Sequence, residues 1–382
     1  MIKVLCVFGT RPEAIKMAPI VKELERFPDA ISTVVCVTGQ HREMLDQVLT
    51  LFDVKPDYDL NLMTHDQELD RLSAGLLGEI TKILKQERPD VVLVQGDTVS
   101  AMTASLASFY QMIPVGHVEA GLRTGERYNP FPEETNRRLI SVLSTYHFAP
   151  TATAADALLA EGIPKTSIFI TGNPVIDALL MTAAKKSESD FGISPNKKII
   201  LVTAHRRENF GEPLKNICRA LRLLAEAHED IEIVYPVHLN PNVSGPVYQE
   251  LSGLERVNLI PPLAYEQFVH LMGIAYLVLT DSGGIQEEAP ALGKPVLVMR
   301  EVTERPEAVL AGTVKVVGTG TDSIVENTNR LLADQEEYNR MSRAISPYGD
   351  GTAAEKIVQI LLSATAGGKS GRQRPKEASS FS

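Results

Sequence analysis

From its first residues the chain alternates short apolar runs with longer segments whose apolar residues recur at helical spacing, and it does so twice. Strands are predicted at Lys3–Phe8, Thr33–Thr38, Val91–Val94, Val115–Val118, Tyr146–Ala149 and Ile168–Thr171. Helices at Glu43–Phe52, Glu68–Lys85, Ser100–Tyr110 and Glu133–Ser144 lie between them. A polar stretch at 185–198, KKSESDFGISPNKK, reads as a linker. The alternation then restarts, with strands at Ile199–Thr203, Ile231–Tyr235, Asn258–Ile260, Tyr276–Thr280, Val296–Met299 and Val314–Val317. Helical runs there include Leu214–Ala227, Glu266–Met272, Ile285–Leu292 and Asp322–Leu332. This pattern specifies α/β architecture, two parallel sheets covered by helices, with a ligand cleft expected between them. An amphipathic run at Ala353–Leu362 is expected to pack back on one half. The segment 366–382 has almost no apolar residues and reads as disordered.

Composition narrows the class. The 382 residues are 44% hydrophobic and 23% charged, ordinary for a globular protein. No run approaches the roughly 20 apolar residues that span a bilayer, and the N-terminus lacks the features of a signal peptide. Cys6, Cys36 and Cys218 are far apart in apolar segments, which predicts reduced, buried thiols and a cytoplasmic location. A net charge of −10 argues against a nucleic-acid partner. It leaves room for a small anionic ligand, held by local arginines and helix starts.

Three motifs fail on inspection. Gly318-Thr319-Gly320-Thr321-Asp322-Ser323 follows a strand and precedes a helix, but Ser323 replaces the third glycine of a dinucleotide fingerprint and no ribose-binding acid follows. Gly368-Lys369-Ser370 lacks the first glycine of a P-loop, since Ser363 stands there. His117 and Glu119 alternate at a strand end without a third ligand, so no metal site is expected.

Four motifs carry chemistry. Gly9-Thr10-Arg11-Pro12-Glu13 ends the first strand; Thr10 and Glu13 have capping-box spacing, Pro12 sits in the first turn, and Pro19 should kink the helix. Arg11 and Lys16 flank its start. Helix-end attraction for an anion is only about 0.3–1 kcal/mol, so these cations matter. Asp281-Ser282-Gly283-Gly284-Ile285-Gln286-Glu287-Glu288 opens a helix with exposed N–H groups and a hydroxyl, a diphosphate cradle, and Glu288 one turn on suits ribose hydroxyls. Asp97, Glu119, Glu133 and Glu134 gather where strands should end, where ligands of open sheets bind. Helix capping by Asp97 and favourable helix-start charge for Glu133 and Glu134 are the alternatives. His205, beside Arg206 and Arg207, stands at the matching strand end and suits charge stabilisation on a phosphate or proton transfer.

Together FGTRPEAIKMAP, GQHREMLDQVL, GDT, GHVEAGLRTG, HRREN, VYPVHLNPNV, TDSGGIQEEAP, GKPVLVMR, TERPEAV and SPYGDG closely resemble the bacterial non-hydrolysing UDP-N-acetylglucosamine 2-epimerases, over about residues 2–363. The resemblance implies two Rossmann-like domains in a GT-B-type arrangement, with the active site in the interdomain cleft. The first would span 1–172, joined by a returning helix at about 352–365, and the second, UDP-binding, would span 173–351. It implies Arg11, Lys16, Phe268, Ser282, Gly283, Gly284, Glu288 and Arg305 as substrate-binding residues, with Phe268 near the uracil. Asp97, Glu119, Glu133 and His205 become the catalytic group, with Asp97, Glu119 and His205 also in contact with substrate. Leu263 stands where relatives often carry Gln. Gln40, His41, Arg206 and His238 match a region where relatives bind activating substrate, but Asp66 replaces an arginine of activated members. The implied partners are UDP-N-acetylglucosamine, UDP-N-acetylmannosamine and UDP, with a homodimer, no cofactor, and a role in supplying cell-surface polysaccharide.

The implied chemistry follows from the sugar. Its C2 proton is not beside a carbonyl, so inversion needs either oxidation of a neighbouring carbon or loss of UDP from C1 to give 2-acetamidoglucal. The missing nicotinamide fingerprint favours elimination and re-addition. Which carboxylate serves as base and which as acid stays open. A hydrolysing epimerase, a GT-B glycosyltransferase and a non-enzymatic sugar-nucleotide sensor are the rival readings.

Overall fold

Strand β1 (Ile2–Phe8) is buried from Val4 to Phe8 without alternation, the pattern of a strand covered on both faces. The computed structural model describes residues 1–39, 42–62, 67–185, 191–194 and 196–366. Gln40, His41, Asp66, part of the polar stretch at 185–198 and the tail with Gly368-Lys369-Ser370 lie outside them.

The first sheet continues with β2 (Ile31–Val37), β3 (Tyr58–Asp59), β4 (Val91–Gln95), β5 (Val115–Val118), β6 (Tyr146–Ala149) and β7 (Ile168–Ile170). All pairs are parallel, in the order β3-β2-β1-β4-β5-β6-β7. Its helices are α1 (Arg11–Glu25), α2 (Arg42–Leu51), α3 (Leu69–Glu87), α4 (Val99–Tyr110), α5 (Glu133–Leu143), α6 (Ala152–Ala160) and α7 (Pro174–Ala183). The second sheet comprises β8 (Lys198–Thr203), β9 (Ile231–Pro236), β10 (Val257–Ile260), β11 (Leu277–Thr280), β12 (Val296–Val298) and β13 (Val314–Val316), again parallel, in the order β10-β9-β8-β11-β12-β13. Helices α8 (Glu212–Ala227), α9 (Pro241–Leu251), α10 (Tyr265–Ile274), α11 (Ile285–Ala291), α12 (Pro306–Leu310), α13 (Thr321–Ala333) and α14 (Gln335–Ser342) accompany it, and α15 (Ala353–Ala366) follows. The expected α/β class with two Rossmann-like parallel sheets is therefore what the chain adopts.

Contacts divide the chain into two compact units. One is Met1–Ala178 with the segment from Tyr348 onward; the other is Leu179–Pro347. The break falls within α7. In the first unit, Leu5, Val7, Val92 and Val94 pack with Leu76, Ile80 and Leu84 of α3. In the second, Ile200, Val202, Ile233 and Leu279 pack with Ile217, Leu221 and Leu224 of α8. Each fully buried Leu or Ile contributes about 1.5–3 kcal/mol by leaving water. In each sheet the strand order reverses once, between β1 and β4 and between β8 and β11. Crossovers leave these neighbours in opposite directions, so their carboxyl ends stay open.

Local differences from the sequence reading have local causes. Strand β3 has two residues, too few for a period-two signal. Helix α9 starts at Pro241 and holds Gly245 and Pro246, residues that argue against a helix from sequence alone. Helix α1 runs through Pro19 to Glu25. The Gly318 turn is already filled by a carboxylate: Glu301 Oε1 accepts from Thr319 N–H at 3.4 Å and would lie 3.2 Å from a Cβ at Gly318. No helix among the described residues is long and apolar enough to cross a membrane.

Helix α15 packs on α1, within the first unit. Asp177 fastens it, its carboxylate accepting from Ala354 N–H at 2.8 Å and Ala353 N–H at 3.3 Å. Burial pushes the Asp177 carboxyl up from 3.8 to about 6, against those two hydrogen bonds. The stability linked to this group is present below pH 3.8 and is lost as pH rises through about 6, by about 3 kcal/mol at most. Urea midpoints of wild type and Asp177→Asn should therefore converge, or cross in favour of the variant, between pH 4.5 and 7.5.

Candidate active site

At the switch point of the first unit, β1 runs into Gly9 and Thr10, and β4 into Gly96 and Asp97. Glu13 ties the two loops together. The capping box is present: Glu13 Oε2 accepts from Thr10 N–H at 2.7 Å and Gly9 N–H at 3.0 Å. Its Oε1 accepts from the Thr98 hydroxyl at 2.6 Å. Burial pushes the Glu13 carboxyl above its usual range, although these donors pull the other way. Gly9 is required by proximity, since a Cβ there would lie 1.9 Å from Thr38 Oγ1. The cap of α4 is Thr98, whose Oγ1 accepts from Ala101 N–H at 3.1 Å, so Asp97 is released from the capping role.

Glu119 is the centre of this site. It is buried, and its backbone is in the left-handed region at φ 66°, a conformation that costs a non-glycine residue about 1–3 kcal/mol. Lys16 Nζ donates to its two oxygens at 2.6 and 2.7 Å, Gln95 Nε2 to Oε2 at 2.5 Å and Asn173 Nδ2 to Oε1 at 3.0 Å. Asp97 is half-buried, and its Oδ2 accepts from Arg137 Nε at 2.8 Å. Arg137 also donates to Glu134 Oε2 at 3.0 Å. Burial alone would raise the Glu134 carboxyl, but the Thr124 N–H and Arg137 together hold it below its ordinary value. Glu134 is thus a fully buried structural anion. Its neighbour Glu133 is half-buried, with a buried Oε2 that has no hydrogen-bond partner. Arg11, at the first turn of α1, is half-buried.

His117 is wholly buried behind the same loop, with Nε2 2.7 Å from Gly96 O. Burial drives its pKa down to about 3, so it is a neutral strut for the loop bearing Asp97. Among the described residues no cluster of His, Cys, Asp and Glu is placed to hold a metal ion. Cys6, Cys36 and Cys218 are buried and free, each thiol pushed up to about 12 by burial.

The switch point of the second unit is built alike. β8 leads into Ala204-His205-Arg206 and β11 into Asp281-Ser282-Gly283-Gly284. Asp281 Oδ2 accepts from His205 N–H and Arg206 N–H, both at 2.8 Å, and from Asn209 Nδ2 at 3.1 Å. Ser282 N–H bonds Thr280 Oγ1 at 2.9 Å. The N–H groups that follow it open α11, where helix geometry supplies no partner. A Cβ at Gly283 would meet Arg206 Nη2 at 3.5 Å and Glu304 Oε2 at 3.6 Å, and one at Gly284 would meet Glu288 Oε1 at 3.8 Å. Arg206, Glu304 and Glu288 therefore border the glycine turn. Arg305 is ion-paired with the buried Glu287. A cavity of about 200 Å³ beside the turn is lined by His205, His238, Leu263, Phe268, Ser282 and Ile285, among others. That is below the roughly 300–1,000 Å³ typical of whole-ligand sites, a size for one part of a ligand.

The structure therefore gathers Arg11, Lys16, Asp97, Glu119 and Glu133 in one unit, and His205, Phe268, Ser282, Gly283, Gly284 and Glu288 in the other. Arg206 and His238, assigned from the sequence to a regulatory region, lie against the glycine turn and the cavity. Sequence reasoning missed Gln95, Asn173, Arg137 and Asn209, and left Asp281 without a role. Asp281 and Asn209 lie inside recognised motifs and Gln95 adjoins one, whereas Asn173 and Arg137 fall in none.

Two parallel sheets that share a 3-2-1-4-5-6 strand order, the first with one further strand, each with polar residues at its switch point, define a protein of paired Rossmann-type units. A family model described as UDP-N-acetylglucosamine 2-epimerase matches residues 22–362, and the chain belongs to that family. It is 57% identical over 371 residues to the UDP-N-acetylglucosamine 2-epimerase of Salmonella typhimurium, covering 94% of this chain and 98% of the relative. The crystal structure of UDP-GlcNAc 2-epimerase from Neisseria meningitidis bound to UDP-GlcNAc is similar at TM-score 0.84 and 52% identity, over 94% of this chain and 100% of that one. A putative UDP-N-acetylglucosamine 2-epimerase from Listeria monocytogenes matches at TM-score 0.92 and 46% identity, over 96% and 97%.

Removing a donor from Glu119 should be felt as stability. Gln95→Leu is expected to cost about 1–3 kcal/mol and Lys16→Met about 3–5 kcal/mol, because the latter leaves a buried carboxylate without its cation. Thermal melting of both variants against wild type checks the order.

Proposed function

We propose that the chain catalyses reversible epimerisation at C2 of UDP-N-acetylglucosamine to UDP-N-acetylmannosamine, without net hydrolysis. The observation that supports the reading is the paired construction: Asp97 and Glu119, anchored by Arg137 and Lys16 beyond the carboxyl ends of β4 and β5, and in the other unit a glycine turn beside a ring-sized cavity. The family resemblance assigns these residues to parts of one sugar nucleotide. Phe268 and the cavity take the uracil, Glu288 the ribose, and Ser282, Gly283, Gly284, Arg11 and Arg305 the diphosphate. The sugar then meets Asp97, Glu119 and Glu133.

In the forward step a carboxylate removes the C2 proton while the C1–O bond breaks. The C–H electron pair forms the C1=C2 bond of 2-acetamidoglucal, and the C–O pair leaves with UDP. A second acid delivers a proton to the opposite face of C2, and a phosphate oxygen of the retained UDP re-forms the bond to C1. Asp97 is held in position by Arg137 and Glu119 by Lys16. Glu133 has the unpartnered oxygen that a substrate hydroxyl or proton would engage. Positioned acids and bases supply typically 10²–10⁴-fold each. Stabilisation of departing UDP supplies much of the rest, and His205 beside the glycine turn is placed for it. Exclusion of water from the site would keep the glycal from being lost.

Incubation with UDP-N-acetylglucosamine in D₂O, without added nicotinamide cofactor, tests this by NMR. Deuterium at C2 of an intact mixture of two UDP-sugars is the expected result. Retention of the C2 proton by protein that binds UDP would refute it, and free N-acetylmannosamine as main product would assign the hydrolysing reaction instead. Asp97→Asn, Glu119→Gln and Glu133→Gln are each expected to lower kcat by about 10²–10⁴-fold with UDP binding retained, measured by calorimetry. The proposal includes a homodimer as the working assembly, which light scattering at working concentration checks.

A further inference from the structure

Asp281 is fully buried at the end of β11. Its Oδ2 is saturated by the three donors described above. Its Oδ1 is also buried and has no hydrogen bond. The nearest titratable partner is His205 Nδ1, at 3.5 Å, which is half an ångström too far for a good bond. A buried carboxylate oxygen without a donor is unfavourable, and the fold holds this one opposite an imidazole that borders the cavity.

The remaining groups around His205 are few. The His238 ring stacks on it at 5.6 Å and 14°. His238 Nδ1 accepts from Asn240 N–H at 3.1 Å, so a neutral His238 carries its proton on Nε2. Arg206 follows in the chain and lies 3.8 Å from Glu304. Burial, His238 and Arg206 oppose a charge on His205, and Asp281 favours it; the balance holds His205 below its ordinary value, neutral near pH 7 in the free protein.

We infer that Asp281 is a positioning residue that acts through His205: when a diphosphate enters beside the glycine turn, His205 Nδ1–H closes onto Asp281 Oδ1. The opposite nitrogen, Nε2, then takes one proton from solvent and donates it to a phosphate oxygen as imidazolium. When the diphosphate leaves, the proton returns to solvent. The inference deepens the proposed reaction and rests on its placement of UDP. It assigns to Asp281, the first residue of the glycine motif, a task separate from holding the His205-Arg206 loop. The two carboxylate oxygens divide the work, Oδ2 bonding the loop backbone and Oδ1 facing the ring.

Nitrogen-15 spectra of the full-length protein labelled at histidine, with and without UDP, provide the test. Protonation of both His205 nitrogens in the UDP complex is expected. Calorimetry in two buffers of different ionisation enthalpy should read uptake of about one proton at pH 7.5. In Asp281→Asn the side-chain NH₂ faces Nδ1 and keeps it an acceptor, as the backbone donors retain the amide oxygen. Proton uptake should vanish and kcat fall about 10²-fold with little change in KM, and adding His205→Asn should cause no further loss. A merely structural Asp281 would lower melting temperature and leave the uptake intact. An unprotonated Nδ1 in the UDP complex, or proton uptake undiminished in Asp281→Asn, would overturn the inference. If that variant does not fold, the wild-type spectra alone decide. Failure of UDP to bind would overturn this inference and the proposed function together. Deuterium exchange at C2 with an unprotonated Nδ1 would overturn only this one.

Discussion

In both units one buried carboxylate ties together the two loops that leave neighbouring strands at the switch point. Glu13 joins the β1 loop, through Gly9 and Thr10 N–H, to the β4 loop, through Thr98. Asp281 joins the β11 loop to the β8 loop, through His205 and Arg206 N–H. Crossovers that depart in opposite directions leave this gap uncovered, so backbone donors there have no ladder to join. A carboxylate is the compact group able to accept several N–H groups at once. Asp97, His205, Ser282, Gly283 and Gly284 are carried by these loops.

Anions at the two sites fall into different physical classes. Glu134 and Glu13 are saturated with donors and belong to the framework. Glu119 is saturated too, yet sits on a left-handed backbone at the open end of β5. Its charge and position are fixed at some conformational expense, the mark of a group whose place matters more than its stability. Glu133 and Asp281 each retain one buried oxygen without a partner. The structure therefore separates neighbouring, chemically identical residues, Glu133 from Glu134, by what their oxygens meet.

Much of the fold was legible because parallel strands are short, continuously apolar and bounded by turn residues. β5 and β6 match their predicted limits, and the other predicted strands shift by a few residues at most. β3 and α9 escaped for want of a local signal, while α6, α7, α12 and α14 also went unassigned although α6 is rich in strong helix formers and capped by Thr151. The glycine turn, the capping box and the carboxylates at strand ends were also readable, because each is a local motif following a strand. Their partners were not. Lys16 and Glu119 are 103 residues apart, Asp97 and Arg137 are 40 apart, and His205 and Asp281 are 76 apart.

The sequence by itself determined the alternation of strand and helix, the two-fold repetition of that alternation, and the motifs at strand ends, since these depend on periodicity and on residues within one turn of each other. The tertiary structure alone decided that Thr98 and not Asp97 caps α4, that Glu134 is framework while Glu133 keeps an oxygen open, and that Arg206 and His238 border the glycine turn and cavity. The physical reason is that burial and hydrogen-bond satisfaction are set by neighbours brought from distant strands, and no local spacing encodes which neighbours those are.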